Sequence, residues 1–503
     1  MRVRPRSRGS RRALALALGS ALLAAGCSQH EAVSSTTRPT TAERPFTITA
    51  TRDALATDAT SPVVHDNEVM ALAPHDGRLF AATDQWEYPG PSPHGQVLVK
   101  DSRDASWRIF EDTQSLRVQA IDSFPIPRDQ GSGPGHSVLV TQAIVHGRSE
   151  VQWLVDGAPS FAPADSFALA STQTDVRSFG AHEDGGTWSV YAGAEPTGIL
   201  RGTWSPSAHT LVFDPTPELT AAPPGSPGLK TQKVTGFADC GGALYVTINT
   251  RLYRRNDGDL PPGVPRWVLV YQEPPVGAFN SGLRGVSCVR HDGAPALIVS
   301  TEGTGNVYRF DHLPRGRLDA APGVALTPTL ELSAAGALRS MLAAQGTDVP
   351  ATGKGSIDYV IAAYNDFQTL RVDGSDRQVF GFEWAYAGGC PSTRTCGPTA
   401  FGGATFDAAA CFAIRTDDGG APSYVPRCLG GRDFAPTGVT TPPIRAGQAY
   451  VSIRTIAPSP FGDARLYYGG YDCNFFPADG TAWVAASSVR AVVPDNAVGQ
   501  EDG

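Results

Sequence analysis

Two His-Asp-Gly triplets stand out in the sequence, at His75-Asp76-Gly77 and at His291-Asp292-Gly293. A histidine beside an aspartate suits a metal site or an acid–base pair, but Asp-Gly also favours a tight hairpin because both residues tolerate positive φ. Cys240-Gly241-Gly242 occupies the equivalent place between two short apolar runs. A position that accepts Cys-Gly-Gly in place of His-Asp-Gly indicates a turn, and we predict turns at all three places.

Arginine recurs at another repeated position, inside four-residue segments made of an aliphatic, a variable, a small and an apolar residue. Seven such segments begin at Val69, Val118, Val176, Val234, Leu283, Leu338 and Ile453. The variable residue is an arginine in four of them, namely Arg177, Arg284, Arg339 and Arg454. Guanidinium groups bind carboxylates and phosphates through two parallel hydrogen bonds. These arginines therefore suggest an anion-binding site, provided that the fold brings the segments together.

The elements that carry these segments are predicted to be strands. The chain is rich in glycine and proline, which separate short apolar runs, and no helical apolar period is sustained. Each segment is followed by a turn and a second apolar run, and several by a third and a fourth. Four short strands in a unit of roughly 50–60 residues are typical of one blade of a β-propeller. The predicted fold class is all-β, with the small residue needed where blades crowd around an axis.

The interval from Leu338 to Ile453 is about twice as long as the others. The sequence therefore predicts seven blades with an insertion at about residues 385–445, or eight blades if this interval contains a decayed one. Four cysteines are candidate staples of the insertion, and our favoured pairs among the three possible arrangements are Cys390 with Cys396 and Cys411 with Cys428. The sequence leaves Cys240, Cys288 and Cys473 unassigned. The ring is predicted to close by pairing residues 46–50 with residues 481–484.

In a propeller, the start of the first strand and the end of the second lie on the same rim of the central channel. The second strands end on acids, namely Asp84, Glu302, Asp366 and Asp472. With the arginines, these acids suggest a funnel that binds an anion. The alternative is a belt of salt bridges that joins blade to blade. A pair formed by Glu302 and Asp472 across the channel would suit lyase or glycosidase chemistry. Four aromatic residues near the same strand ends would suit sugar stacking or the ordinary packing of blade edges, namely Trp86, Tyr88, Tyr364 and Tyr471.

Two further stretches carry a resemblance. Residues 181–188, AHEDGGTW, resemble the Asp-box pattern Ser-x-Asp-x-Gly-x-Thr-Trp, with Ala181 in place of its serine and Glu183 in place of its aspartate. Residues 466–483 resemble the last blade of secreted bacterial β-propeller lipoproteins of uncharacterised function. The resemblance implies a propeller over most of residues 46–490 and a structural turn at the Asp-box. It names no substrate.

The N-terminal residues resemble a lipoprotein export signal. Six arginines precede an alanine- and leucine-rich stretch that ends on Ala24-Ala25-Gly26-Cys27, and Ser10-Arg11-Arg12 is similar to a twin-arginine motif. We expect residues 1–26 to be a signal peptide and residues 27–45 to be a flexible tether with a lipid on Cys27. A secreted soluble protein is the alternative. The propeller is expected over residues 46–493 and a disordered tail over residues 494–503.

Composition excludes several functions. Without residues 1–26, the 41 basic residues fall by six, to 35, against 49 acidic residues. A chain this acidic is unsuited to binding a phosphate backbone, so no nucleic-acid partner is expected. No motif for a bound metal or a nucleotide cofactor is present. We expect no cofactor, with calcium at His65-Asp66-Asn67 as an option beside a simple turn.

The sequence therefore predicts a monomeric, lipid-anchored propeller of the bacterial cell envelope that binds a ligand, such as an acidic carbohydrate, at its rim. The enzymatic alternative is a channel-based lyase or hydrolase acting on an anionic saccharide or lactone. The third possibility is a scaffold for envelope proteins, with its contacts on the insertion. No residue is assigned as catalytic, and whether the protein is an enzyme stays open.

Overall fold

The computed structural model describes most of the chain between residues 46 and 489. The described residues are 46–51, 68–84, 95–115, 117–127, 136–145, 147–170, 175–195, 197–220, 233–274, 282–319, 325–364, 367–372, 374–392, 396–399, 405–407, 409–429, 434–435, 450–472 and 481–489. The predicted signal peptide, Cys27, the tether, His65-Asp66-Asn67, Asp366 and the predicted tail lie outside them. Lipid attachment and calcium binding therefore stay predictions.

The chain begins with β1 (Phe46–Thr51), which belongs to the last sheet. The first sheet contains β2 (Glu68–His75), β3 (Arg78–Asp84), β4 (Gly95–Lys100) and β5 (Arg108–Ser115). The second contains β6 (Ile121–Pro125), β7 (Ser137–Val145), β8 (Arg148–Val155) and β9 (Ser166–Ala168). The third contains β10 (Asp175–Asp184), β11 (Thr187–Glu195), β12 (Gly198–Ser205) and β13 (Thr210–Phe213), with the short β14 (Leu219–Thr220) beside β12.

The fourth sheet contains β15 (Val234–Cys240), β16 (Ala243–Ile248), β17 (Arg251–Arg255) and β18 (Trp267–Gln272). The fifth contains β19 (Leu283–His291), β20 (Ala294–Gly303), β21 (Asn306–Phe310) and β22 (Thr329–Ser333), and helix α1 (Ala334–Ala344) follows it. The sixth is built on β23 (Ile357–Ala362), β24 (Gln368–Val372) and the long β25 (Ser375–Tyr386). Then come β26 (Cys396–Thr399), β27 (Thr405–Asp407), β28 (Ala410–Thr416), β29 (Ser423–Leu429) and β30 (Phe434–Ala435).

The seventh sheet closes the ring. It contains β31 (Tyr450–Pro458), β32 (Arg465–Asp472) and β33 (Thr481–Ser488), and its fourth strand is β1 from the start of the chain. β1 runs antiparallel to β33, with Phe46 opposite Ser487. The fold is a seven-bladed β-propeller. Closure by strands from both ends of the chain, as predicted, gives the last blade its outer strand and covers the edge of β33 that would otherwise be unpaired.

Glycines lie where neighbouring blades meet, at Gly236 in a predicted segment and at Gly469 in the second strand of the seventh blade. A Cβ atom added to Gly236 in β15 would lie 3.1 Å from Cγ1 of Val286 in β19, which is tighter than ordinary side-chain contact. One added to Gly469 in β32 would lie 2.5 Å from Cγ1 of Val69 in the first blade. Because interiors are close-packed, a larger side chain at these positions would push adjacent blades apart. The crowding expected from the repeated pattern is confirmed.

The prediction of an inner strand at Leu338–Met341 was wrong, because these residues lie on helix α1. A four-residue template fits a helix as well as a strand. The buried residues Ala334, Leu338 and Leu342 recur every four positions, which is the period of a helix with one apolar face. The inner strand of the sixth blade is formed by β23 and β24, which both pair with β25.

The predicted insertion of residues 385–445 therefore lies inside the sixth blade and not after it. β28 pairs with β25, and β29 pairs with β28, so these two strands complete the blade. The inserted part is the segment between β25 and β28, where β27 pairs with the end of β25. The described residues form seven blades, which is the preferred alternative from the sequence. The first and seventh blades are joined into one hydrogen-bonded sheet by the pairing of β2 with β32, and the fifth and sixth by the pairing of β20 with β23.

Two disulfide bonds have both of their cysteines among the residues whose side chains the structure describes. Cys411 and Cys428 join β28 to β29, as predicted. Cys240 and Cys288, which the sequence left unassigned, join the inner strands of the fourth and fifth blades. Cys390 is also in a disulfide bond, and the side chain of its predicted partner Cys396 lies outside the described residues. Disulfide bonds of this kind indicate an oxidising compartment.

We expect loss of the Cys240–Cys288 bond to destabilise the protein more than loss of the Cys411–Cys428 bond. The two bonds close loops with sequence separations of 48 and 17 residues. The chain-entropy relation then gives about 4 and about 3 kcal/mol. Urea denaturation of the double serine variants of each pair measures the two losses. Equal losses, or a larger loss for the shorter loop, would contradict the expectation.

Candidate functional site

The two His-Asp-Gly triplets are turns, as predicted. Asp76 and Asp292 both have φ of 48°, and the glycines that follow them have φ of 69° and 75°. Gly241 and Gly242 adopt the same left-handed conformation. The turn-forming pair is therefore Asp-Gly or Gly-Gly, and the residue before it is free to serve another purpose.

In four of the seven blades, the described residue directly before the turn contacts a side chain of the next blade. His75 Nε2 lies 3.7 Å from Asp156, which follows β8. His291 Nδ1 lies 2.9 Å from Asp417, which follows β28. At the same position, the carboxylate of Asp184 in the third blade lies 2.8 Å from Arg255 of β17. Cys240 of the fourth blade forms its disulfide bond with the fifth. We call these four contacts the inter-blade clasps.

The third blade has a second histidine contact beside its clasp. His182 Nδ1 lies 2.9 Å from Asp239, and its Nε2 lies 3.1 Å from Asp257. Burial lowers the pKa of His182, but the two aspartates outweigh burial and raise the pKa to about 9. His75 has the opposite balance, because burial exceeds the effect of Asp156 and lowers its pKa to about 4. One histidine is thus a cation and the other a neutral ring near pH 7.

The charged groups at the other ends of the inner strands form the candidate functional site. We call this site the charged mouth. Its residues come from all around the ring, and in chain order they are Glu68, Asp84, Arg117, Arg177, Glu195, Lys233, Arg284, Glu302, Tyr359, Tyr364, Glu383 and Arg454. Three of the four arginines singled out in the sequence belong to it. Arg339 does not, because it lies on helix α1.

Two of the arginines share one aromatic ring. The guanidinium carbon of Arg284 lies 4.4 Å from the centre of the Tyr364 ring, and that of Arg454 lies 4.1 Å from it. A cation over a ring face is attracted by the electron density of the ring. Tyr364, proposed from the sequence as a stacking residue, therefore lies between the fifth and the seventh blades and holds their arginines together.

Each arginine of the mouth has a carboxylate partner. Arg177 Nε donates to Glu195 at 2.7 Å, and Arg117 Nε lies 3.3 Å from Asp84. Arg284 pairs with Glu302 of its own blade. Arg177 and Arg284 are thus neutralised by carboxylates of their own blades, and these two pairs are not links of the predicted blade-to-blade belt.

Arg454 bridges three blades. Its Nε pairs with Glu68 of the first blade, and its Nη2 lies 2.7 Å from Glu383 of the sixth. All three side chains are at most 5% exposed. Arg454 therefore links the closing blade to both of its neighbours.

A tyrosine completes the carboxylate side of the mouth. Tyr359 donates its hydroxyl hydrogen to Oε1 of Glu302 at 2.6 Å. Burial and the nearby Glu302 raise the pKa of Tyr359 well above its ordinary value. Burial also raises the pKa of Glu302, but Arg284 and Lys233 outweigh it, and the pKa lies below the ordinary value. Tyr359 therefore stays protonated as a donor, and Glu302 stays ionised as an acceptor.

Arg177 of the mouth also lines a cavity of about 210 Å³, together with the carboxylate residues Asp122 and Asp239. The lining contains the small residues of the first four predicted segments, namely Ala71, Ala120, Ser178 and Gly236. Three phenylalanines also line it, at positions 124, 179 and 237. The same small residues that allow the blades to crowd together therefore leave room for a small molecule beside the axis.

Several mouth residues were missed in the sequence. Glu68 and Lys233 directly precede the segments that begin at Val69 and Val234, a position that the repeated pattern did not include. Glu195 is the last residue of a second strand, where the acids of other blades were found. Tyr359 and Glu383 belong to the sixth blade, whose inner strand was misplaced. Of the predicted acids, Asp472 ends β32, but its side chain lies outside the described residues.

No known family model and no curated protein matches this chain. Several solved structures are similar to it in fold. The chain has 12% identity to Raptor of Chaetomium thermophilum, with a TM-score of 0.39 over 84% of this chain and 28% of that one. A β-propeller domain of Cps50 (Swd1) from Myceliophteria thermophila gives 10% identity and a TM-score of 0.42, over 83% and 97% of the two chains. An α-L-arabinanase of Penicillium chrysogenum gives 9% and 0.34, over 83% and 93%. These similarities describe the fold alone.

The described residues contain no group of three His, Cys, Asp or Glu side chains arranged to hold a metal ion. In the same part of the chain, no helix has the length and apolar character needed to span a membrane. The Asp-box-like stretch forms the hairpin between β10 and β11, with Gly185 and Gly186 at positive φ, as its resemblance implied.

Proposed function

We propose that the protein binds a hydroxyl-rich ligand, a saccharide, at the charged mouth and in the cavity beneath it. The observation that carries the proposal is the pairing of every mouth arginine with a carboxylate, together with a cavity of about 210 Å³ that one of these arginines, Arg177, lines. A hydroxyl group both donates and accepts hydrogen bonds, whereas a carboxylate only accepts and a guanidinium only donates. Paired Arg and Glu side chains therefore complement adjacent hydroxyl groups.

The same pairing argues against the anionic ligand that the sequence suggested. An anion would have to displace Glu195 or Glu302 from its arginine, at the cost of leaving that carboxylate without its partner. It would also gain little attraction at a distance, because the positive charges of the mouth are balanced. A neutral saccharide keeps the ion pairs and adds hydrogen bonds to them.

Binding at this site is tested by calorimetric titration of the full-length protein with neutral and acidic oligosaccharides. We expect neutral sugars to bind with an affinity that changes little with salt, because no ion pair is exchanged. Arg284→Gln should weaken binding by about tenfold to a hundredfold, the usual cost of a hydrogen bond to a charged group. Arg371→Gln is the matched control, since Arg371 is 75% exposed on β24.

Two results would overturn the proposal. One is binding of acidic sugars only, with an affinity that falls steeply as salt rises, which would restore the anion-binding funnel. The other is an equal affinity for the Arg284→Gln and Arg371→Gln variants. If Arg284→Gln does not fold, Tyr359→Phe removes a single hydroxyl group from the same site and serves in its place.

A second candidate function is hydrolysis of the bound saccharide. It is favoured by opposite shifts at two carboxyl groups of the mouth, because burial raises the pKa of Glu195 above its ordinary value, whereas that of Glu302 is lowered. Such a divergence is typical of an acid and a base that share one site. Release of reducing ends from a neutral oligosaccharide would separate hydrolysis from binding.

The scaffold alternative has less support. It predicted an exposed apolar patch on residues 385–445. Among the described residues of that segment, the exposed large apolar side chain is Val425, on the outer strand β29. The others in the described part of the chain are Val212, Leu269 and Leu330, which lie on the outer strands of three different blades. Single exposed apolar residues are ordinary on protein surfaces and form no patch.

A further inference from the structure

The cavity that Arg177 lines extends along the inner strands, away from the charged mouth. β10 contributes five consecutive residues to its lining, Arg177 to Ala181, and five residues of a strand cover about 13 Å. Asp122 of β6 and Asp239 of β15 also line the cavity. In the repeated pattern, these aspartates lie three and four positions beyond that of Arg177. They therefore belong to the opposite end of the cavity, about 10 Å further along the strands.

The charges that line the cavity are unbalanced. Among the described residues of the lining, two are acids, Asp122 and Asp239, and one is a base, Arg177. Arg177 is already paired with Glu195, which lies outside the lining. The surplus charge of the lining is therefore negative, and it lies at the end away from the mouth.

One of the two aspartates is held in place by a histidine, which offsets part of this charge. His182 Nδ1 lies 2.9 Å from Oδ2 of Asp239, and Nε2 of the same ring lies 3.1 Å from Asp257. A carboxylate has sites for about four hydrogen bonds. Because the side chain of Asp239 is 47% exposed, it can accept further hydrogen bonds from a molecule in the cavity.

Three aromatic rings line the same cavity, those of Phe124, Phe179 and Phe237. The face of an aromatic ring attracts a cation and also packs against the apolar face of a sugar. An ammonium group has three hydrogen-bond donors and no acceptor, so that carboxylates are its natural partners. The combination of carboxylates and aromatic rings in one lining therefore suits a ligand that carries a protonated amine.

A buried amide beside the cavity has no partner. Gln119 directly precedes Ala120 of the lining and has the position in its segment that Arg177 has in the next blade. It is 1% exposed, and neither its Nε2 nor its Oε1 forms a hydrogen bond with a described residue. Buried polar groups without partners are rare. A hydroxyl group, which both donates and accepts, complements either atom of this amide.

We propose that the ligand of the cavity is an amino saccharide. Its ammonium group is bound by Asp122 and Asp239 at the far end of the cavity, and its hydroxyl groups lie at the mouth end, beside Gln119 and the Arg177–Glu195 pair. The inference rests on the proposed function and specifies the class of saccharide. Binding of a neutral sugar at the mouth does not require the two aspartates, whereas binding of the amine does.

Calorimetric titration of the full-length protein with glucosamine, N-acetylglucosamine and glucose at pH 6 tests the inference. A primary amine is protonated at this pH, whereas acetylation removes its charge. We expect glucosamine to bind about tenfold more tightly than the other two sugars, the usual gain from a hydrogen bond to a charged group. Asp122→Asn, which keeps the size of the side chain and removes its charge, should abolish this preference. Asp358→Asn, at an exposed position of β23, is the matched control and should keep it.

Equal affinities of the wild type for glucosamine and glucose would overturn the inference, and this comparison needs no variant. An undiminished preference for glucosamine in both Asp122→Asn and Asp239→Asn would overturn it as well. Ethanolamine, a hydroxylated amine without a sugar ring, separates the inference from the proposed function. If neutral sugars bind and glucosamine binds no more tightly, the amine site fails alone. If ethanolamine binds to the wild type and not to Asp122→Asn, and no sugar binds, the saccharide fails alone.

Discussion

Replacing Arg454 by alanine is expected to lower the free energy of unfolding by about 3–5 kcal/mol, the usual cost of breaking a buried ion pair by removing one member. The variant would leave Glu68 and Glu383 buried without their shared cation. It would also remove a guanidinium group from the face of Tyr364. Urea denaturation at pH 7 measures the loss, and Arg371→Ala, at an exposed site in the sixth blade, should change stability by less than about 0.5 kcal/mol.

The Arg454→Ala variant distinguishes a role of the mouth arginines in stability from a role in ligand binding. Arg454 joins three blades, whereas Arg177 and Arg284 pair inside their own blades. We therefore expect Arg454→Ala to reduce stability most and Arg284→Gln to reduce binding most. A stable Arg454→Ala protein would show that the ring is held closed by β1 and the packing of the blades alone, and that Arg454 is available for a ligand.

Most of the fold follows from a local rule that the sequence displays. A strand at the centre of a propeller needs a small residue where its neighbours crowd, and Gly236 and Ser178 meet that need in adjacent blades. The hairpin turns are also local, because Asp76 and Asp292 must adopt positive φ. Such features depend on a few consecutive residues and can be recognised without a structure.

The sixth blade could not be found in this way. Its inner strand is interrupted between β23 and β24, and its third strand follows an insertion, so the regular spacing of the repeat is lost. The segment at Leu338 met the template by chance. Its surroundings, AAGALRSMLAA, are rich in alanine and leucine, the strongest helix formers, and a longer window would have shown the helical period.

The candidate site was only partly predictable because its chemistry depends on partners that are distant in the chain. The sequence placed Arg177, Arg284 and Arg454 at equivalent positions, but it could not show that Arg454 pairs with Glu68 and Glu383. It could not indicate that Arg177 pairs with Glu195 of its own blade and Arg284 with Glu302 of its own blade. Whether an arginine is free to bind an anion is decided by these contacts, and they changed our proposal from an anionic ligand to a neutral one.

His75 and His182, which lie at the hairpin-turn ends of the inner strands, are expected to give the free energy of unfolding opposite dependences on pH. For His182, the folded pKa of about 9 lies above the usual histidine value of 6.5, so the folded state binds a proton more tightly than the unfolded chain does. The contribution of His182 to the free energy of unfolding is complete below pH 6.5 and is lost as the pH rises to 9. A shift of this size corresponds to about 3 kcal/mol, and the side chain is buried, so little is lost to solvent screening.

For His75 the sign is reversed. The folded pKa of about 4 lies below 6.5, so the unfolded state takes up a proton first as the pH falls. Stability is complete above pH 6.5 and falls by about 3 kcal/mol between pH 6.5 and 4. His75 is neutral in the fold because burial outweighs Asp156, and its Nδ1 lies 3.0 Å from the hydroxyl oxygens of Ser123 and Ser137.

Urea denaturation from pH 4 to 9 measures both effects when each is taken as a difference between the wild type and a glutamine variant. The difference is needed because carboxylates also titrate at low pH, and because the lowered pKa of Lys233 makes stability rise with pH above about 8. His182→Gln should remove the decline in the free energy of unfolding between pH 6.5 and 9 and leave its change between pH 4 and 6.5 as in the wild type. His75→Gln should reduce the change between pH 4 and 6.5 only. If both variants kept the wild-type profile, the histidines would have no net role, and the blades would be held together on this face by Arg255, Arg415 and the Cys240–Cys288 bond.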